Sequence, residues 1–243
     1  MDGGGRRMTD IGSRLCETVH HALHATITAA LSRHAARDGA LLDVGCWDGG
    51  HTVAYGESCR VRQLFGVEVC EDQARAAERL NIEVARCNLE QPRLPWPDAS
   101  MDIVVCNQVL EHLKNIFAVM DEIARVLKPG GILVASVPNL GSLHSRIMLL
   151  LGLQPSMIRV FGPHVRSFTH GEFKLFLTAG GAFEIVESIG VGFYPLPATA
   201  VGNWLGRLWP SASHTPVVVV RRTNAPAGSW ESIYGAESHQ TTM

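Results

Sequence analysis

A carboxylate closes an apolar run and three glycines follow it: Leu41-Leu42-Asp43-Val44-Gly45-Cys46-Trp47-Asp48-Gly49-Gly50. Glycine lets a chain turn sharply and approach a ligand closely. A pyrophosphate loop would space its glycines as G-x-G-x-x-G and turn backbone N–H groups toward the negative charge. This loop departs from that spacing, and Asp43 would repel a phosphate but attract a cationic amino group. Nineteen residues past Gly49, Glu68 ends a second apolar run, Gly66-Val67-Glu68-Val69. From such a strand end a carboxylate can accept both hydroxyls of a ribose. A nucleoside carrying an ammonium group suits both acids.

Such groups need a sheet to hold them. From residue 40 onward short apolar runs alternate with helical patterns, which calls for crossover units on a largely parallel sheet. Strands are expected at 40–44, 63–69, 82–87, 101–106, 132–137, 183–189 and 216–220. Helices are expected at 71–80 and at 116–127, where Ile116, Met120, Ile123, Ala124 and Leu127 share one face before Lys128-Pro129-Gly130-Gly131 stops it. In open parallel sheets ligands sit beyond the carboxyl ends of the strands, so the loop after the first strand should line a pocket. Ahead of this core, residues 1–38 form a helical segment, with a floppy start at 1–8 and then Ile11, Leu15, Val19, Leu23 and Ile27 at helical spacing. The core spans 39–221, with insertions at 138–170 and 191–215 that are too long for ordinary connections. Residues 222–243 are polar and aperiodic and read as a disordered tail.

The ordered motifs resemble the class I S-adenosylmethionine-dependent methyltransferases from about Leu41 to Ile189. Beyond the glycine loop and Glu68, the match is carried by Leu94-Pro95-Trp96-Pro97-Asp98-Ala99-Ser100-Met101-Asp102, by Val109-Leu110-Glu111-His112-Leu113, and by Arg125-Val126-Leu127-Lys128-Pro129-Gly130-Gly131. The resemblance implies a Rossmann-like, mostly parallel open α/β sheet of seven strands with helices on both faces, and S-adenosylmethionine as cofactor. On that pattern Asp43, Gly45, Cys46 and Gly49 hold the methionine end. Glu68 and Val69 hold the ribose, Asn88 and the Leu89 backbone hold the adenine, and Asn107 borders the site from strand four. Two positions depart from the family: Asn88 stands where Asp is frequent, and Trp47 where a middle glycine is common. Val137-Pro138-Asn139-Leu140 and His164-Val165-Arg166-Ser167-Phe168-Thr169 are similar to members acting on small metabolites, sugars or lipid-linked molecules, and to MetW-type proteins. Asn107-Gln108 replaces the Asn/Asp-Pro-Pro-aromatic motif of enzymes that methylate nucleobase amines.

Methyl transfer from a sulfonium is an in-line displacement in which alignment alone supplies much of the rate. A base is optional. Where the acceptor is a hydroxyl, His112, His164 or His170, or the carboxylate of Glu111, can take its proton. Glu111 can equally fix a loop through backbone hydrogen bonds. The reading is therefore an S-adenosylmethionine-dependent methyltransferase forming an O-methyl product on a small acceptor. Two alternatives stand beside it: a non-catalytic regulatory or scaffolding module of the same fold, and an NAD-dependent oxidoreductase on a shared sheet.

Composition narrows the partners. The 243 residues are 46% hydrophobic and 18% charged, with 21 Lys plus Arg against 23 Asp plus Glu. That balance lacks the cationic surface of a nucleic-acid binder. No apolar run approaches the roughly 20 residues of a spanning helix and no signal-peptide core is evident, so a cytoplasmic chain is expected. The apolar insertion around Leu149-Leu150-Leu151-Gly152-Leu153 and the segment 193–209 allow contact with a membrane surface. Six cysteines without a Cys-x-x-Cys pair are expected to be reduced. Cys46, Cys70, Cys87 and Cys106 gather near strand ends but lack local ligand spacing, so no metal site is expected from them. His20 and His24, one helical turn apart, read as a polar helix face over the pocket.

Overall fold

Aliphatic runs such as Ile103-Val104-Val105-Cys106 and Val217-Val218-Val219-Val220 supply a strand buried on both faces. The computed structural model describes residues 4–91, 93–196, 200–225 and 229–238. Its seven strands are β1 (Ala40–Val44), β2 (Gln63–Val67), β3 (Glu83–Ala85), β4 (Met101–Asn107), β5 (Leu127–Ser136), β6 (Phe183–Val191) and β7 (Thr215–Arg222). They form one sheet in the order β3-β2-β1-β4-β5-β7-β6. The pairs from β3 across to β5 are parallel, and only β7 runs against its neighbours. The helices are α1 (Gly4–His34), α2 (Gly50–Cys59), α3 (Glu71–Glu78), α4 (Ile116–Val126), α5 (Leu143–Leu150), α6 (His170–Thr178), α7 (Ala200–Leu208) and α8 (Trp230–Ser238). This is the Rossmann-like arrangement expected, and its strand order reverses between β1 and β4.

The alternation along each strand divides the core in two. Ile103, Val105, Val134, Val217 and Val219 pack with Leu23, Ile27 and Leu31 of α1 and Tyr55 of α2. Val104, Cys106, Leu133, Val218 and Val220 pack on the other face with Met120 and Ile123 of α4, Phe173 and Leu177 of α6, and Trp230 of α8. Burying Leu23, Ile27 and Leu31 stabilises by about 1.5–3 kcal/mol each, enough to anchor α1 across the sheet. Asn115 starts α4 by accepting from the Ala118 N–H at 3.3 Å, as an N-cap residue should.

The structure corrects several expectations. Helix α1 begins at Gly4, where a floppy start was expected over 1–8. Its first residues include no proline, and Arg6, Arg7 and Met8 are good helix formers. Helix α4 stops at Val126, ahead of Lys128-Pro129-Gly130-Gly131 as expected, but that segment lies inside β5, which begins at Leu127 rather than at 132, pairs there with Met101 and takes up the extra residues as an irregularity in the ladder. Gly130 adopts φ 82° within it. The insertions carry α5 and α7, and Asn139 stitches them together by donating from Nδ2 to the carbonyls of Ser211 at 3.1 Å and Ser213 at 2.7 Å. Residues 222–243 were read as a disordered tail, yet β7 runs through Arg222 and α8 follows. The segments 226–228 and 239–243 lie outside the described residues. Among the described residues, no helix is long and apolar enough to cross a membrane.

Candidate active site

The strand-order reversal between β1 and β4 leaves a crevice beyond their carboxyl ends, where an open sheet binds ligands. A cavity of about 500 Å³ opens there. Asp43 and Asn107 reach it from the ends of β1 and β4, Gly45, Cys46 and Trp47 from the loop, His51 and Tyr55 from α2, and Gln108 and His112 from the connection after β4. Helix α1 crosses the opening and contributes His20 and His24, the polar helix face expected of them.

Asp43 is 4% exposed and has one side-chain partner, the Thr52 hydroxyl, which donates at 2.6 Å. Burial pushes its carboxyl up to about 7, with the Thr52 hydrogen bond pulling the other way. A cation seated against it would restore the charged form. The loop itself presents few free donors. The N–H groups of Gly45 and Cys46 both reach the Val67 carbonyl, at 2.9 and 3.0 Å, and that of Gly49 reaches the Cys46 carbonyl at 2.9 Å. Trp47 N–H donates to Glu68 Oε2 at 3.1 Å, and Cys70 N–H to Glu68 Oε1 at 2.7 Å. An anion-binding loop needs those groups open.

The structure therefore brings Asp43, Gly45, Cys46, Asn107 and His112 to one cavity, and ties Glu68 to it through the Trp47 backbone. The Cys46 thiol points elsewhere, packing with Ala77 and Ile82. Gly45, at φ 78°, stands where a Cβ would come within 2.7 Å of Val109 Cγ2, so the loop and the strand-four connection meet without a side chain between them. Gly49 supports the loop from below. Its φ is 82°, and a Cβ would lie 2.5 Å from Ile82 Cδ1 and 2.9 Å from the Ala77 Cα. A left-handed backbone costs a non-glycine roughly 1–2 kcal/mol and overpacking about 1–3 more. Gly49→Ala should therefore lower stability by about 3 kcal/mol, read as a shift in the urea midpoint at unchanged slope. Val69, Asn88 and Leu89 do not line the cavity. Val69 is exposed, Leu89 packs against the core, and Asn88 Oδ1 accepts from the Glu90 N–H at 2.9 Å.

Trp47 is exposed at the cavity mouth with φ 50°. Sequence reasoning missed the aromatic wall opposite Asp43. His24 stacks on His51 at 3.3 Å between ring centroids, and its Nδ1 lies 2.5 Å from the Tyr55 hydroxyl. Burial and the neighbouring His51, His20 and His21 push His24 down to about 4, so the ring is neutral at ordinary pH. Burial raises the Tyr55 hydroxyl, with Asp43 adding to it. The signal was the i, i+4 spacing of His51 and Tyr55 immediately after the glycines, which puts both on the cavity side of α2.

His112 and His164 come together, their rings edge to face at 4.8 Å. Glu111 lies beside them, and its backbone carbonyl accepts from the N–H groups of Val165 and Arg166 at 2.9 and 3.1 Å, the loop-fixing role read for it. Its carboxylate does something different: it is buried, neither oxygen has a hydrogen-bond partner, and burial pushes it up to about 7. His112 is lowered by burial. His170 lies apart, its Nε2 bonded to Ser188 Oγ at 2.7 Å.

Residues 42–135 match the family model for a methyltransferase domain. Over those residues the chain is similar to a methyltransferase domain. It is 40% identical over 112 residues to a protein of Mycobacterium tuberculosis named as a probable S-adenosylmethionine-dependent methyltransferase, covering 44% of this chain and 38% of that one. It is 31% identical over 172 residues to a similarly named protein of Mycolicibacterium smegmatis, covering 65% and 56%. The matched part of the chain thus spans between about two fifths and just over half of the length of these relatives. A solved methyltransferase from Thermotoga maritima shares the fold at a TM-score of 0.57, with 18% identity, 88% of this chain and 96% of that one. The cofactor of this family is S-adenosylmethionine. The site's chemistry fits it: a buried carboxylate at the loop, a second beneath the loop backbone, and loop donors spent internally and so unsuited to a pyrophosphate.

Proposed function

We propose that the chain transfers the methyl group of S-adenosylmethionine to an oxygen of a small acceptor, a metabolite, sugar or lipid-like molecule. The observation that carries this reading is Asp43, a carboxylate buried with a single hydroxyl partner at the wall of a cavity at the sheet's reversal point. When bound, S-adenosylmethionine supplies a methyl group activated by a sulfonium. Asp43 would hold the cationic amino group, and Glu68 the ribose with the lone pairs its backbone partners leave open. Val69, Asn88 and Leu89, on the loops after β2 and β3, would border the nucleoside outside the cavity. Tyr55, His24 and His51 would shield the centre from water. The spent N–H groups of Gly45, Cys46 and Gly49 argue against the NAD reading, whose pyrophosphate would need them.

The apolar insertions support a lipid-like acceptor or contact with a membrane surface. Leu150 and Phe161 are 86% and 101% exposed, and Trp204 and Leu208 of α7 are exposed as well. The same surface favours the scaffolding alternative. Calorimetry with S-adenosylmethionine and S-adenosylhomocysteine should show binding of both and weaker binding of NAD. Labelled methyl from S-adenosylmethionine should then appear in a small-molecule fraction of a cell extract. A folded chain that binds neither nucleoside refutes the cofactor assignment, and one that binds but labels nothing is the scaffold.

A further inference from the structure

Three side chains able to ligate a metal converge at the edge of the cavity. Glu111 is 1% exposed, and neither carboxylate oxygen has a hydrogen bond. His112 and His164 flank it, and one ligand atom from each of the three residues lies within 4.8 Å of the others. His112 Nε2 stands 3.9 Å from Glu111 Oε1, too far for a hydrogen bond. The two rings are also set in the same tautomer by their surroundings. His112 Nδ1 meets the Pro163 carbonyl at 3.3 Å, and His164 Nδ1 meets the Met157 carbonyl at 2.7 Å. A carbonyl only accepts, so each Nδ1 carries a hydrogen, and in the neutral ring Nε2 is the nitrogen with the lone pair. A backbone carbonyl on the far nitrogen is how metal-ligating histidines are oriented.

A carboxylate buried without a hydrogen bond has lost its hydration, and a proton or a cation must compensate it. A protonated histidine would be one answer, but both Nδ1 hydrogens already point at carbonyls and no Nε2 reaches an oxygen. We propose that Glu111, His112 and His164 bind a divalent transition metal ion, Zn²⁺ in the first place, through one carboxylate oxygen and two Nε2 atoms. A two-histidine, one-carboxylate set leaves a fourth position open, as in catalytic rather than structural zinc sites. Ligand atoms about 2.0–2.1 Å from a tetrahedral zinc stand roughly 3.3 Å apart, so the rings must close by about an ångström. His112 also lines the cavity, which puts the open position on the cavity's side. Resting on the methyl-transfer reading, that position would take the acceptor's oxygen and so select hydroxyl-bearing acceptors. Neither the domain's family match nor the cysteines point to this site: its third ligand comes from the 138–170 insertion.

The test uses the full chain stripped of metal and titrated with Co²⁺ and Zn²⁺ alone. One equivalent of Co²⁺ should give the visible bands of a four- or five-coordinate ion, and Zn²⁺ should displace it. His164→Ala and Glu111→Gln should each weaken Zn²⁺ binding by 100-fold or more, while S-adenosylhomocysteine binding, followed by calorimetry on the same samples, stays within a few fold. That second readout certifies the fold and separates this site from the cofactor reading: a chain that binds Zn²⁺ but no nucleoside keeps the metal site and loses the other. No saturable Co²⁺ binding by folded wild-type chain, or binding unchanged in both variants, overturns the proposal.

Discussion

Asp43→Asn should make the ligand-free chain more stable at pH 8 and the nucleoside complex weaker, two effects of opposite sign from one atom. In the folded state burial pushes the Asp43 carboxyl from its ordinary 3.8 up to about 7. Between those values the folded chain holds a proton that the unfolded chain has released, so stability falls as pH rises across that window. Each unit of displacement is worth about 1.4 kcal/mol, so the loss approaches ~4 kcal/mol once pH has passed the folded value. It is fully avoided only below 3.8. Asparagine keeps the volume and an acceptor for the Thr52 hydroxyl, and it has no charge to bury. The stability difference between variant and wild type should therefore grow by about 2–3 kcal/mol from pH 5 to pH 8, read from denaturant midpoints at both. Binding should move the other way. A hydrogen bond to a charged group contributes about 1.5–3 kcal/mol, so S-adenosylhomocysteine should bind the variant roughly 10- to 100-fold more weakly. Its affinity for the wild type should rise from pH 6 to pH 8 with uptake of the cation and release of a proton. A variant that is less stable at pH 8 and binds normally would make Asp43 a structural residue and remove the support for the proposed function.

What could be read in advance follows from how local the signal is. Asp43, Gly45 and Gly49 stand in a contiguous loop, and the strands around them are apolar runs that need no partner to be recognised, so the seven-stranded sheet and the place of the loop were legible. The antiparallel course of β7 was not. Its four consecutive valines are buried on both faces, and a two-sided run looks the same in either direction. Tyr55 and His24 share the cavity only because α1 folds back across the sheet through Leu23, Ile27 and Leu31, and a helix's own periodicity does not say where it lands. The Glu111 carboxylate is the sharpest case. Glutamate is among the residues least often fully buried unpaired, and its neighbour His164 lies 53 positions away in an insertion, so nothing near it in the chain announced that it would be sealed beside two imidazoles. Val69, Asn88 and Leu89 were assigned by resemblance to a pattern rather than by any property of their own, and the cavity wall leaves them out.

Trp230→Ala should cost about 3–5 kcal/mol, the range for deleting a buried tryptophan, although the residue lies in a stretch whose composition looks unstructured. Trp230 is 1% exposed and belongs to the larger core cluster. Its ring lies 5.8 Å from that of Phe183, and its Nε1 donates to the Phe176 carbonyl at 2.7 Å. The approach is fixed from another helix. Asp121 of α4 accepts from the Trp230 N–H and the Ser229 hydroxyl, both at 2.9 Å, and from the Glu231 N–H at 3.4 Å, adding to the local cap in which Ser229 Oγ accepts from the Ser232 N–H at 3.3 Å. Tyr234 then stacks on Phe117 at 4.4 Å. A nine-residue helix has little stability by itself, so α8 exists because α4, α6 and β6 leave a slot of indole size. Ending the chain after Arg222 should therefore destabilise it as much as the point substitution does. Trp230→Phe, which keeps most of the volume but leaves the Phe176 carbonyl without its donor, should cost about 1–3 kcal/mol. Urea denaturation of the three variants orders these losses. If truncation and Trp230→Ala each cost under 1 kcal/mol, α8 is peripheral and the core closes without it. The predicted losses make it the last wall of the apolar layer under α4 and α6, on the face of the sheet opposite α1 and its histidines.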